Sequence, residues 1–415
     1  GAESVPLGSQ TFSKSYQQFP ENAAPMFLER GEGGRAWDID GNEYVDLVCG
    51  LLPVVLGYKD PDVDQAIKDQ MERGICFSLA TELEYQLAEK LIEMIPCAEM
   101  VRYGKNGTDA TSAAVRLARA HTGRDHIIAL GYHGWQDWYI GATVRNLGIP
   151  QKVRDLTTKV AYNDLEALRA EFKHYDGDVA AIVMEPMNST DPLPGYMEAV
   201  KEMAHENGAL LIYDEVITGF RFAKGGAQDY FGVTPDLACF GKAMGNGMPI
   251  SAVVGRADIM NLMHDIFFSS TFAGEALSLA AANAVVDKMN REPVIEKLWT
   301  VGDQMKDAAQ KHLKAHGLDG HIKLAGKAPW YILQFHDHDH GSKEALKTVF
   351  LKEMLANGVL MSVSHNICYA HNDLDVAKVD QAYEAATRAL AEHLEKPGLD
   401  EHLDMPLIRP VFSVR

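Results

Sequence analysis

Apolar positions along the 415-residue chain change their period at about residue 60. Before it, "GRAWDIDGNEYVDLV" alternates apolar and polar side chains around Asp40-Gly41-Asn42, the pattern of a β-hairpin. After it, "PDVDQAIKDQMERG" and "ELEYQLAEKLIEMI" repeat apolar residues at helical spacing and alternate with short apolar runs. The runs are "MVRY" (100–103), "HIIAL" (126–130), "VAAIVM" (179–184), "ALLIY" (209–213) and "LACF" (237–240). Short apolar runs between helices predict α/β architecture, with a mostly parallel central sheet flanked by helices. From about 300 the pattern gives helices, the strand "PWYILQF" and a final long helix in "DVAKVDQAYEAATRALAEHLEK". The expected domains are 1–58, an N-terminal segment contributing to a small α+β domain; 59–300, the large domain; and 301–415, the C-terminal part of the small domain.

The residues just after each run carry the chemistry. The five strand ends deliver Gly104-Lys105-Asn106-Gly107-Thr108, Gly131-Tyr132-His133-Gly134, Glu185-Pro186, Asp214 and Gly241-Lys242. Ligands of open α/β sheets bind beyond the carboxyl ends of the strands, so one site assembled from several loops is expected.

Thr108 reads as a helix N-cap, with Asp109 suited to the positive helix end and Gly123 closing the helix. The loop before it is a candidate phosphate cradle, although the P-loop pattern is absent. Lys242, at the end of an apolar run and among glycines, is either an amine nucleophile or a solvent-reaching turn residue. Asp214, directly after "ALLIY", is either a turn carboxylate or a buried acid that needs a positive partner. A phosphate cradle, an aromatic residue, a buried acid and an amine together match pyridoxal phosphate. Its phosphate, ring, pyridine nitrogen and aldehyde need one of these apiece.

The chain resembles the class III, fold type I pyridoxal-phosphate-dependent aminotransferases, close to the glutamate-1-semialdehyde aminomutase subgroup. The resemblance rests on "AWDIDGNEYVDLV", "NGTDAT", "GYHGW", "MEP", "YDEVITGFR", "DLACFGKAMGNGMP" and "AHNDLDVAKVD", with Lys242 28 positions after Asp214. It implies Lys242 as the lysine bonded to the cofactor aldehyde and as the base of the reaction, with Asp214 on the pyridine nitrogen. It also implies Val216 under the ring, Tyr132 over it and His133 beside it, with Asn106, Gly107 and Thr108 on the phosphate. Thr271 corresponds to a residue reaching the phosphate across a homodimer interface, Glu185 to an active-site acid, and Asn188 to a contact with the ring hydroxyl.

Three segments depart from the aminomutase pattern. Tyr16 in "SKSYQQF" falls where an arginine grips the substrate carboxylate, and nearby Lys14 cannot grip it bidentately. "SSTFAGEAL" replaces a "GTLSGNP"-type stretch, and residues 358–371 are shorter and hold no Glu. These departures favour transfer between molecules, with glutamate as donor. The carbonyl acceptor expected is a sugar aldehyde or ketone of bacterial surface-polysaccharide (lipopolysaccharide) or amino-sugar biosynthesis. Ser9, Gln10, Thr11, Ser13, Ser15, Gln17 and Gln18 are candidate polyol contacts. The alternatives are an isomerase of the glutamate-1-semialdehyde 2,1-aminomutase type, a binding protein without turnover, and a Schiff-base aldolase that uses Lys242 without the cofactor.

Composition narrows the partners. A net charge of −19 argues against nucleic acid and anionic membranes. Cys49, Cys76, Cys97, Cys239 and Cys368 show no metal-type spacing and are expected to be reduced and mostly buried. The opening residues lack a basic segment followed by an apolar one, so a cytoplasmic protein is expected. No metal is expected: His336, His338 and His340 in "HDHDHGS" read as a strand end or turn before a metal site. Arg221 reads as structural, and Trp135 and Trp138 as core or substrate-entrance residues.

Overall fold

The computed structural model describes residues 3–409. They form two units, one from residues up to 60 together with those from 296 onward, the other from 61 to 295.

In the first unit, strands β1 (Leu28–Glu32), β2 (Arg35–Asp38) and β3 (Glu43–Asp46) form an antiparallel meander. The expected hairpin is β2–β3. Its turn is held by Asp38, whose Oδ1 accepts the N–H groups of Asp40 (3.0 Å) and Asn42 (2.8 Å), while Gly41 takes a positive φ of 85°.

The second unit is built on seven strands: β4 (Met100–Gly104), β5 (His126–Leu130), β6 (Thr157–Lys159), β7 (Val179–Met184), β8 (Leu210–Asp214), β9 (Leu237–Phe240) and β10 (Ser251–Gly255). Their order in the sheet is β4-β10-β9-β8-β7-β5-β6. All the strand pairs are parallel except the two that β10 makes, with β4 and β9. Strands β5, β7, β8, β9 and β10 are buried along their whole length, which is why they read as unbroken apolar runs instead of an alternation. The helix Gly107–Thr122 lies on this sheet through Ala110, Ala113, Ala114 and Leu117, packed with Ile127, Ala129, Val183, Ile212 and Cys239. Small alanines let the helix axis approach the strands closely, so its first turn is held at a fixed height over the strand ends.

The C-terminal part of the first unit adds β11 (Ile322–Lys327), β12 (Trp330–Phe335), β13 (Val359–Leu360) and β14 (Ser364–Asn366). Strands β11, β12 and β14 make an antiparallel sheet, and β13 joins the N-terminal meander by pairing in parallel with β3. The long helices are Val294–Ala315, Lys343–Ala356 and Asp373–His393.

The "HDHDHGS" stretch is a turn. His338 and Gly341 form an isolated bridge, His338 Nδ1 accepts the N–H of His340, and His340 Nδ1 lies 2.6 Å from the Leu394 carbonyl. Among the described residues no helix is long and apolar enough to cross a membrane.

Candidate active site

Because β4, β5, β7, β8 and β9 run in parallel, their carboxyl ends lie along one edge of the sheet, and the five predicted loops leave from that edge.

The loop after β4 enters the helix Gly107–Thr122, and here the structure corrects the sequence reading. The N-cap is Asn106, not Thr108. Asp109 Oδ2 turns back to accept the N–H groups of Lys105 (2.9 Å) and Asn106 (2.8 Å), which fixes the entry of the chain. The amides of Gly107 and Thr108, in the first turn, have no carbonyl one turn earlier to bond to. Their N–H groups and the helix dipole make an anion-binding end. Gly123, at φ 67°, closes the helix as expected.

A side chain at position 107 is excluded by Val216: a Cβ there would lie 2.8 Å from Val216 Cγ1. The same Val216 methyl would lie 3.6 Å from a Cβ at position 241. Val216 therefore sits between the helix end and the residue before Lys242. From the loop after β5, Gly134 presses on Thr108, because a Cβ there would come within 2.5 Å of Thr108 Oγ1.

Asp214 is buried at the end of β8. Its Oδ2 lies 2.9 Å from Nδ1 of His133, and its Oδ1 accepts the N–H of Val216 at 3.1 Å. His133 has two aromatic neighbours in its own loop: Trp138 stacks at 6.0 Å between centroids and Tyr139 meets it edge-on at 5.2 Å. The carboxylate that comes after Asp214 has a different task. Glu215 is fully buried and accepts from Thr218 Oγ1 (2.6 Å), Ala227 N (2.5 Å) and Gln228 N (2.9 Å). Burial pushes its pKa up, against those hydrogen bonds. Glu215 thus holds the loop that leaves β8, which leaves Asp214 as the carboxylate beside His133.

Lys242 comes after β9 and is half-buried. Its φ is +41°, a left-handed conformation that costs a lysine energy and is kept only where surrounding contacts impose it. Glu185, after β7, is buried and accepts the N–H of Tyr132 (3.1 Å), which ties the ends of β5 and β7 together. The half-buried ring of Tyr132 meets Tyr139 edge-on, with centroids 5.7 Å apart.

These contacts gather Gly107, Thr108, His133, Asp214 and Val216 into one cluster, with Lys242 directly after its Gly241 wall and Glu185 bonded to Tyr132. Asn106 stands exposed at the mouth of the helix end. Asn188 and Thr271 are not drawn in by any hydrogen bond. Asn188 Oδ1 accepts the N–H of Thr190 in a local turn, and Thr271 lies exposed in a segment with Phe267 and Phe272, also exposed. Arg221 is fully buried, Trp138 is buried with Nε1 donating to Ser112 Oγ, and Trp135 is 65% exposed.

Sequence reasoning missed two residues. Glu275 caps the helix Ala276–Arg291 and pairs with Lys105 at 2.7 Å, which ties the candidate phosphate loop to that helix. Its signal was a Glu directly before an apolar helical stretch. Ser251, the first residue of β10, faces Gly104 in the register, and its buried hydroxyl has no hydrogen-bond partner within the protein.

The model of the family described as "Aminotransferase class-III" matches residues 16–390. The chain belongs to the class-III aminotransferases. It is 37% identical over 399 residues to 3-aminobutyryl-CoA aminotransferase of Cloacimonas acidaminovorans (strain Evry), covering 94% of each chain. It is 36% identical over 396 residues to glutamate-1-semialdehyde 2,1-aminomutase 2 of an Exiguobacterium species, covering 89% of this chain and 91% of that one. Among solved structures it superposes on the FumI protein of Sphingopyxis sp. MTA144, in its PLP internal aldimine form, with a TM-score of 0.89 at 30% identity and 96% coverage of each chain. As a class-III aminotransferase with the fold type I architecture, it is a transaminase whose cofactor is pyridoxal phosphate.

The residues present fit that group. Thr108 Oγ1, at the helix end, is a buried polar atom with no partner within the protein. A buried polar atom left unpaired is costly unless a ligand satisfies it. Placing a Cβ at Gly134 sets a clash with Thr108 against a φ of +99°, so Gly134→Ala is expected to weaken pyridoxal phosphate binding by about ten- to a hundredfold, from roughly 1–3 kcal/mol of strain. Fluorescence titration of the apoenzyme with the cofactor measures this; an unchanged Kd would detach Thr108 from cofactor binding.

Proposed function

We propose that this transaminase moves an amino group between two molecules, from an amino acid donor, glutamate, to a carbonyl acceptor that is a sugar aldehyde or ketone. The support is in the sequence, where Tyr16 stands at the position that the resemblance gives to a carboxylate-gripping arginine in the aminomutases and residues 358–371 lack Glu. Tyr16 is 51% exposed and opens a short 3-10 turn. Three of the hydroxyls considered for polyol binding are spent on the segment's own turns. Ser9 Oγ accepts from Thr11 N, Thr11 Oγ1 accepts from Lys14 N, and buried Ser15 accepts from Gln17 N while donating to the Leu7 carbonyl. Gln17 Nε2 likewise donates to the Tyr16 hydroxyl at 3.4 Å, so Gln10, Ser13 and Gln18 are the remaining candidates for sugar contacts in this segment. An acceptor of this kind belongs to surface-polysaccharide or amino-sugar biosynthesis.

Bound pyridoxal phosphate supplies an electrophilic aldehyde carbon and an electron-withdrawing ring. In the proposed arrangement the N–H groups of Gly107 and Thr108, with Thr108 Oγ1, bind its phosphate at the helix end, and Asn106 stands at the rim. Val216 and Tyr132 would pack against its ring, and Asp214, oriented by His133 and by the Val216 amide, would hold a proton on its pyridine nitrogen. Lys242 Nζ would hold the aldehyde carbon and, once freed by the donor amine, would serve as the general base that takes the proton from the substrate Cα. Glu185 positions Tyr132 through its amide, Asn188 lies near the ring hydroxyl, and Thr271 reaches the phosphate of the other subunit of a homodimer. The exposed Phe267 and Phe272 beside Thr271 fit a surface covered on dimerisation.

A second reading, an amino shift within one molecule, has support from the aminomutase relatives at 36% identity. One half-reaction separates the two. Under the first, L-glutamate alone converts the bound cofactor to its pyridoxamine form and releases one equivalent of 2-oxoglutarate per site. An unchanged cofactor spectrum with glutamate, together with isomerisation of an amino aldehyde, would establish the second. Product formation from oxidised sugars by the pyridoxamine-loaded enzyme then tests the acceptor class.

A further inference from the structure

The first unit contains a compact cluster of two thiols and an imidazole. Cys49, Cys368 and His371 are 1%, 1% and 0% exposed, and their sulfur and nitrogen atoms lie within 4.8 Å of one another. It is the one group of this kind among the described residues. The thiols pack with Val54, Tyr58 and Ala370 in an apolar pocket.

The cluster is held from several sides. Asp46, the last residue of β3, accepts the amides of Val48 (2.7 Å) and Cys49 (3.1 Å) through Oδ1 and the Tyr58 hydroxyl (2.6 Å) through Oδ2. This turn holds Cys49 at a φ of +47°, a conformation that is strained for a residue with a side chain. The Asp46 carbonyl serves both partners, lying 3.2 Å from Cys49 Sγ and 3.1 Å from His371 Nε2. Cys49 Sγ also lies 3.1 Å from the Asn366 carbonyl, and Asn366 is fixed in turn by its side-chain bond to Val48 O (2.7 Å). Gly34 stands flat against the His371 ring, since a Cβ there would overlap Cδ2.

Two chemistries could use such a group: coordination of a thiophilic cation, or a bond between the sulfurs. The imidazole decides between them. Nδ1 accepts the Cys368 amide at 3.1 Å and Nε2 faces the Asp46 carbonyl, so both ring nitrogens already have backbone partners, and a cation would have to displace one. Nor does the group contain a fourth protein donor to close a tetrahedral site. The two sulfurs, in contrast, lie within 4.8 Å of each other with the His371 ring beside them, close enough for a small side-chain rotation to join them.

We propose that Cys49 and Cys368 are a disulfide-forming pair, oxidised by a hydroperoxide, with His371 as the residue that activates Cys368. The Cys368 thiolate attacks one peroxide oxygen and the O–O bond breaks. The departing oxygen takes the Cys368 thiol proton, relayed through His371 Nδ1 in place of the Cys368 amide that this nitrogen accepts at rest, and leaves as water or an alcohol, while Cys368 becomes a sulfenic acid. Cys49 sulfur then attacks Cys368 sulfur, the S–O bond breaks, and the hydroxide leaves as water with the Cys49 proton. The sum is two thiols and one peroxide giving one disulfide, one water and one water or alcohol; a dithiol reverses it. Burial by itself would raise the Cys368 thiol, but the bond from Cys49 and the neighbouring imidazole hold it well below the usual thiol range. Burial likewise would lower His371, and Cys368 raises it.

Cys76, exposed and outside the cluster, provides an internal gauge of oxidant delivery. The holoenzyme is treated with hydrogen peroxide, capped with iodoacetamide and digested without reductant for mass spectrometry. The expected product is the Cys49–Cys368 linked peptide, lighter by two hydrogens, abolished by dithiothreitol and absent from C49A and C368A. His371→Gln is expected to slow linkage about tenfold or more, with Cys76 oxidation unchanged. Two results would overturn the proposal. One is Cys76 fully oxidised while Cys49 and Cys368 both stay open to alkylation after unfolding. The other is one equivalent of a thiophilic metal in the untreated wild-type protein that C368A lacks. Both are read on the wild-type chain first, so a variant that fails to fold leaves the answer intact.

Discussion

Replacement of Lys242 by alanine is expected to lower kcat by about 10⁴-fold or more, because in the proposed mechanism one amine serves both as the group displaced by the donor and as the base at Cα. The phosphate-binding end of the helix Gly107–Thr122 does not involve Lys242, so the variant should still retain the pyridoxamine form of the cofactor. Single-turnover kinetics with 2-oxoglutarate and a spectrum of the purified variant measure the two halves of this expectation. Borohydride should fix the cofactor covalently to the wild-type chain at Lys242 and not to the variant. Turnover within tenfold of wild type would remove Lys242 from the chemistry and with it the proposed site.

Asp214→Asn is the second large effect. The amide keeps the shape of the carboxylate and can still accept the Val216 N–H, but it removes the negative charge buried beside His133. In the proposed arrangement the pyridine nitrogen would then no longer be kept protonated, so the loss should fall on kcat. About 10³-fold is expected, the scale of removing one preorganised electrostatic contact in a buried site. Cofactor affinity should change much less, because the phosphate contacts stay in place. Steady-state kinetics with saturating cofactor separate these quantities. A variant that loses only cofactor affinity, with kcat restored at high cofactor concentration, would make Asp214 a binding residue alone.

Much of this was legible because buried parallel strands declare themselves. "HIIAL", "VAAIVM", "ALLIY" and "LACF" are apolar throughout, and in the structure they form β5, β7, β8 and β9 with little change of boundary. Their ends carried the polar residues that the fold collects. What could not be read was the partner of each polar side chain. Asn106 and Thr108 are both good capping residues, and only the backward reach of Asp109 decides for Asn106. Asp214 and Glu215 are adjacent carboxylates of similar chemistry. They differ because one lies beside His133, more than eighty residues away, and the other beside the amides of Ala227 and Gln228. The short strands β13 and β14 have too few residues to show a period, and β14, "SHN", is polar. The thiol–imidazole cluster was invisible for the same reason, since Cys49 and Cys368 are far apart in the chain.

The parallel pairing of β3 with β13, Val45 against Val359, has a consequence for biosynthesis. On the ribosome the N-terminal meander emerges first but lacks its fourth strand until more than 300 further residues have been made. The segment from 61 to 295 holds all seven strands of its own sheet and can collapse during that interval. The meander meanwhile shows an unpaired β3 edge, so nascent chains arrested before residue 359 should be the ones that chaperones hold and that self-associate.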